Sequence, residues 1–183
     1  MFYSLCVYCG SRAGNTARYA QDAEALGTAL AEAGIRLVYG AGDVGLMGTV
    51  ARAAKTGGGK TFGVIPQHLL DREVGKRDLD TFIVTETMHE RKKVMVMNAD
   101  AIAVLPGGAG SLDEFFEVLT WRQLGLHDKP IYLLNSAGYW TPLRQLLDHI
   151  IGSGFADPSL MGYCEIAEDV PALMASLIRA RRA

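Results

Sequence analysis

One stretch, residues 101–124, AIAVLPGGAGSLDEFFEVLTWRQL, limits what this chain can fold into more than any other. It opens on a short apolar run, 101–105, which fits a strand buried on both faces of a parallel sheet. Pro106-Gly107-Gly108-Ala109-Gly110 then excludes any regular element. From Ser111 the apolar residues Leu112, Phe115, Phe116 and Leu119 recur at helical spacing. The order is therefore strand, glycine turn, helix. Such a unit aims backbone N–H groups and the positive end of a helix at one spot, which suits an anion such as a phosphate.

Glu114 has two readings. Ser111-Leu112-Asp113-Glu114 has the spacing of a capping box, with Ser111 as N-cap and Glu114 reaching back to its backbone N–H. Alternatively, Glu114 stands beside the anion pocket and acts on the substrate. Asp113 suits the dipole of a first helical turn.

The same alternation of strand and helix extends along the chain. Strands are expected at 4–8, 35–39, 61–65, 81–84, 101–105, 130–134 and 163–166. Helices are expected after Asn15 or Thr16, at 46–55, 88–98, 111–124 and 140–151, and from Asp169 or Pro171 onward. Residues 66–78 read as an irregular segment carrying His68, Asp71, Arg72 and Glu73. This order implies an α/β fold, a Rossmann-like doubly wound parallel sheet flanked by helices, with residues 1–183 as a single domain. Ligands of such sheets bind outside the carboxyl ends of the strands. Three small-residue turns, 9–14, 40–45 and 106–110, fall there, which suits a nucleotide-sized ligand.

Several other signals fail. Gly40-x-Gly42-x-x-Gly45 is a loose dinucleotide pattern without the acidic residue expected about twenty positions later. Gly59-Lys60-Thr61 imitates the end of a phosphate-binding loop, but position 54 is alanine and the element order is reversed. Cys6 and Cys9 lie along a strand and its end, on opposite faces, so they read as buried thiols and not as a redox pair. With Cys164 they make an odd count, against a disulfide framework.

A formal net charge of −2 gives no basic surface for nucleic acid or an anionic membrane. No apolar run is long enough to span a bilayer, and the first five residues lack the basic start of a signal peptide. A cytoplasmic protein is the expectation. Arg91 and Lys92, early in the helix at 88–98, read either as a solvated basic surface or as partners of a bound anion, since cations there oppose the helix dipole. The run 94–97, Val-Met-Val-Met, predicts burial nearly all round that helix. His89 has the chemistry of an acid or base, but a lone histidine is more often structural.

Residues 106–114, PGGAGSLDE, resemble the PGGxGTxxE motif of the LOG family, the cytokinin riboside 5′-monophosphate phosphoribohydrolases, with Ser111 for the usual Thr. Further matches are Cys9-Gly10-Ser11, Tyr39-Gly40-Ala41-Gly42 with Gly45-Leu46-Met47-Gly48, Gly63-Val64-Ile65-Pro66, Met88-His89-Glu90-Arg91-Lys92, Thr120-Trp121 and Gln123-Leu124-Gly125. The resemblance implies hydrolysis of the N-glycosidic bond of nucleoside 5′-monophosphates, with N6-modified adenine nucleotides and AMP as substrates.

Glu114 then matches the catalytic glutamate and Arg91 the catalytic arginine, either assisting the departing base or orienting the substrate. The implied substrate-binding set is Ser11, Gly42, Glu73, Arg91, Lys92, Gly107, Gly108, Ala109, Gly110, Ser111, Leu112, Asp113, Glu114 and Thr120. No metal or organic cofactor is implied, and a homodimer is. Relatives often labelled lysine decarboxylases would need pyridoxal phosphate on a lysine, and no lysine here offers a convincing site. The competing reading is a carrier of nucleotide or molybdenum cofactor with the same fold and no catalysis.

Overall fold

The computed structural model describes residues 3–70 and 79–182. Seven parallel strands form one sheet in the order β4-β3-β2-β1-β5-β6-β7. They are β1 (Ser4–Tyr8), β2 (Arg36–Tyr39), β3 (Thr61–Pro66), β4 (Thr81–Thr85), β5 (Ala101–Val104), β6 (Ile131–Leu134) and β7 (Glu165–Ala167). The helices are α1 (Ala17–Glu32), α2 (Gly45–Thr56), α3 (Gln67–Leu70), α4 (Met88–Met97), α5 (Ala109–Gln123), α6 (Thr141–Gly152) and α7 (Val170–Arg182). This is the doubly wound α/β sheet expected from the alternating pattern.

The strand alternation divides the core in two. Leu5 and Val7 face one layer, with Leu26 and Leu30 of α1, Val50 of α2 and Leu173 of α7. Cys6 and Tyr8 face the other, with Met95 of α4, Phe115 and Val118 of α5 and Leu147 of α6. Both faces of the central strands are covered, so those strands read as continuous apolar runs. Cys6 and Cys9 fall in opposite layers, each a buried free thiol, and burial raises both above the ordinary thiol range.

From β1 the chain winds one way through β2, β3 and β4, and from β5 the other way through β6 and β7. The loops after β1 and β5 therefore diverge, and the crevice between them is where an open parallel sheet binds its ligand.

Three boundaries and the burial of one helix differ from the expectation. β3 runs through Pro66, paired with Thr85, and a helical turn, α3, follows where an irregular segment was expected. The fixed φ of proline suits entry to a turn. The last strand starts at Glu165, because Pro158–Tyr163 is a 3₁₀ helix whose first N–H groups are capped by Asp157 (Ser159 N–H to Asp157 Oδ1, 2.8 Å). α4 is buried on one side only: Met95 and Val96 are buried, but Met97 is 69% exposed.

The third boundary concerns the capping box. α5 starts at Ala109 with Gly108 as N-cap and no side-chain cap, so Ser111 and Glu114 both lie inside the helix and form no box. The extended Gly108 lets the helix begin two residues early, which carries Glu114 beyond reach of the helix start. A capping box does occur, unforeseen, at α4: the Glu90 N–H donates to Thr87 Oγ1 and the Thr87 N–H to Glu90 Oε2, both at 3.1 Å.

Candidate active site

The turns after β1, β2 and β5 enclose a cavity of about 530 Å³. Its rim is the N-terminus of α5. Gly108, Ala109 and Gly110 are exposed there, and a Cβ at Gly108 or Gly110 would meet only open space. The first N–H groups of a helix have no intrahelical partner, so those of Ala109, Gly110 and Ser111 are available to a ligand.

Gly107 shapes the turn in a different way, since a Cβ there would lie 2.0 Å from Ser111 Oγ. The turn is braced on both sides. The Gly10 N–H donates to the Pro106 carbonyl at 3.0 Å, and the Tyr139 hydroxyl donates to the Gly107 carbonyl at 2.6 Å. Tyr139 in turn packs edge-on against Tyr19 and Trp140.

Deeper in the cavity stand Arg91 and Glu114. Arg91 Nε donates to the Val64 carbonyl at 3.1 Å and Nη2 to the Gly40 carbonyl at 3.2 Å. Its Nη1 lies 3.5 Å from Glu114 Oε1. One guanidinium thus ties the ends of β2 and β3 to α5. Arg91 is 7% exposed and Glu114 8%, so neither is the solvated surface group that a charge count alone suggests. Burial pushes the Glu114 carboxyl up to about 7, against the opposing pull of Arg91, and Asp113 adds to the rise. Glu114 Oε2 has no hydrogen-bond partner among the described residues and so can accept from a water or a ligand hydroxyl.

Gly40 makes this arrangement sterically possible, because a Cβ there would fall 1.7 Å from Arg91 Nη2. Gly40→Ala is therefore expected to displace Arg91. A cost on the order of 1–3 kcal/mol in stability should accompany the misplaced guanidinium. Chemical denaturation and base-release assays check both effects.

Of the residues picked from sequence, Ser11, Arg91, Gly107, Gly108, Ala109, Gly110, Ser111 and Glu114 all line the cavity. Gly42, Lys92, Leu112, Asp113 and Thr120 do not. Gly42 is buried in the turn after β2, and Thr120 is exposed on α5. Lys92 is 4% exposed and bonds Asp113 (2.9 Å) and Glu117 (3.1 Å). Burial alone would lower its pKa, but those two bonds outweigh it and the net shift is upward. The anions that answer this cation are thus protein carboxylates. Glu73 lies outside the described residues.

Arg12, Tyr19, Met47 and Tyr139 line the cavity too and were not among the expected site residues. For Tyr139 the signal was a loop just past the end of β6, at the ligand-binding edge of the sheet. Among the described residues no group of three His, Cys, Asp or Glu side chains could hold a metal ion. No helix there is long and apolar enough to cross a membrane.

A family model described as "Possible lysine decarboxylase" matches residues 47–177. A cytokinin riboside 5′-monophosphate phosphoribohydrolase of Arabidopsis thaliana is 44% identical over 158 residues, 86% of this chain and 74% of that protein. The rice protein of the same name is 44% identical over 180 residues, 98% of this chain and 70% of its own. That of Rhodococcoides fascians is 42% identical over 175 residues, 95% and 88% of the two chains. Among solved structures, the molybdenum cofactor carrier protein of Chlamydomonas reinhardtii superposes with a TM-score of 0.79 over 100% of both chains. At 21% identity that likeness is one of fold.

Proposed function

This chain belongs to the family of cytokinin riboside 5′-monophosphate phosphoribohydrolases, and on that premise we propose that it hydrolyses the N-glycosidic bond of nucleoside 5′-monophosphates. The products are free base and ribose 5-phosphate. N6-modified adenine nucleotides such as isopentenyladenosine monophosphate, and AMP, are the substrates this reading names. The observation that carries it is a buried carboxylate with one oxygen unpartnered among the described residues, set beside a helix N-terminus with open amides.

The 5′-phosphate sits on the N–H groups of Ala109, Gly110 and Ser111, where the helix dipole favours an anion. That places the sugar toward Glu114. Cleavage passes through an oxocarbenium-like ribose, whose positive charge the Glu114 carboxylate stabilises. Glu114 Oε2 accepts a proton from water as the water oxygen bonds to C1′. The C1′–N bond breaks, its electron pair leaves with the base, the base takes up a proton from solvent, and Glu114 returns the proton it accepted to solvent. Arg91 acts as a positioning group for Glu114, because all three of its nitrogens are engaged and a guanidinium does not readily give up a proton.

The reading needs no metal or organic cofactor. It also disfavours the decarboxylase description, since no lysine is among the described residues that line the cavity. Residues 1–183 then act as one nucleotide-binding domain, in the cytoplasm and without a nucleic-acid partner. The reading includes a homodimer, to which exposed Met97, Leu124 and Leu126 could contribute apolar surface. Light scattering at micromolar concentration should return twice the chain mass, and a monomer would reject the dimer.

The reaction is tested by incubating the protein with isopentenyladenosine monophosphate in ¹⁸O-water and weighing the products. Label in ribose 5-phosphate, with unlabelled free base, is expected. Release of inorganic phosphate in place of base would overturn the assignment.

A further inference from the structure

The cavity contains two guanidinium groups in different states. Arg91 is buried, and its charge is already opposed by Glu114. Arg12 is exposed, lines the same cavity, and has no side-chain hydrogen bond or ion pair among the described residues. Arg18, Arg36, Arg52, Arg122, Arg179 and Arg181 each bond a protein oxygen; Arg144 is likewise without a side-chain partner among the described residues, but it is on α6 and does not line the cavity.

The base of the Arg12 loop is firmly held. The Gly10 N–H donates to Pro106, and the Leu46 N–H donates to the Gly10 carbonyl at 3.1 Å. A Cβ on Gly45, whose φ is +58°, would lie 2.3 Å from Ser11 C and 2.5 Å from Arg12 N. The same loop adjoins the glycine turn: a Cβ on Gly10 would be 3.1 Å from the Arg12 carbonyl and 3.3 Å from Gly107 Cα. The backbone of Arg12 is thus fixed beside the cradle, while its side chain bonds none of the described residues.

The charge balance calls for such a group. A phosphomonoester carries about −1.5 to −2 at neutral pH. A helix N-terminus offers roughly half a positive charge. We infer that Arg12 is a phosphate clamp, closing its guanidinium fork on the 5′-phosphate held by the α5 amides, and so selects monophosphates over nucleosides. The inference rests on the phosphoribohydrolase reading for the identity of the ligand. A guanidinium suits this task because it pairs two phosphate oxygens at once.

The test is calorimetric binding of ribose 5-phosphate to the wild type, Arg12→Ala and Arg12→Lys. Arg12→Ala should bind about ten- to a hundredfold more weakly, as for loss of a charge-assisted hydrogen bond. Arg12→Lys should recover part of the loss, because it keeps the charge and not the fork. Thermal midpoints of all three should agree, since the side chain has no partner among the described residues. Equal binding by wild type and Arg12→Ala, or no binding by the wild type, overturns the clamp. If the wild type binds more tightly than Arg12→Ala yet frees no base from a nucleoside monophosphate, the clamp stands and the hydrolase reading fails.

Discussion

Glu114→Gln is expected to lower turnover of a nucleoside 5′-monophosphate by about 10²–10⁴-fold while the protein stays folded, the range for losing a positioned acid–base group. Glutamine keeps an oxygen for Arg91 while removing the charge and replacing the proton-accepting oxygen with an amide nitrogen. Because Glu114 lies inside α5 and caps nothing, the substitution costs the helix no cap. Full activity in a folded variant would remove Glu114 from the chemistry.

The raised Glu114 pKa gives this prediction two pH signatures. As a base Glu114 must be ionised, so wild-type kcat/KM should rise with pH through about 7. Stability moves the opposite way. The unfolded carboxyl ionises near 4.5 and the folded one near 7, so between those values the folded state holds a proton that the unfolded state has lost. The Glu114 contribution is fully present below about 4.5 and is lost as pH rises through about 7. Glu114→Gln should lose that part of the decline, which unfolding midpoints measured from pH 4 to 8 can read.

Arg91→Ala is the second large effect, and it should reach beyond activity. It orphans the Val64 and Gly40 carbonyls and leaves the Glu114 charge buried without its partner. Breaking a buried pair costs about 3–5 kcal/mol. Loss of Arg91, which holds the Glu114 pKa down, should raise that pKa further. Proton uptake by Glu114 then relieves the cost at low pH, so the destabilisation should be larger at pH 8 than at pH 6. Arg91→Lys should restore little, because an ammonium cannot meet three partners from one planar fork. Denaturant titrations at the two pH values decide this. Wild-type stability in Arg91→Ala would show that the guanidinium does not join β2, β3 and α5.

These effects separate what the sequence could reveal from what it could not. The sheet was legible because strands covered on both faces, such as β5 and β6, must be apolar throughout. The glycine turns marked the ends of those strands, and the topology then set where a ligand goes. Spacing alone did not decide whether Ser111 and Glu114 form a cap or belong to the site. Their spacing is the same whether the helix starts at Ser111 or two residues earlier, and only the extended backbone of Gly108 decides it. Nor could the sequence show that Arg91 and Lys92 are buried, because their partners Glu114, Asp113 and Glu117 lie on another helix. Gly40 and Tyr139 needed tertiary structure for the same reason: one matters through Arg91 and the other through the Gly107 carbonyl.

The measurement that bears most directly on the central claim is kcat/KM for isopentenyladenosine monophosphate against its nucleoside, read by chromatography of the released base. A site built from helix amides and a buried carboxylate predicts release from the monophosphate, with the nucleoside at least about a hundredfold slower, as for loss of several charge-assisted hydrogen bonds. Equal rates for the two, or no free base from the monophosphate, would contradict it.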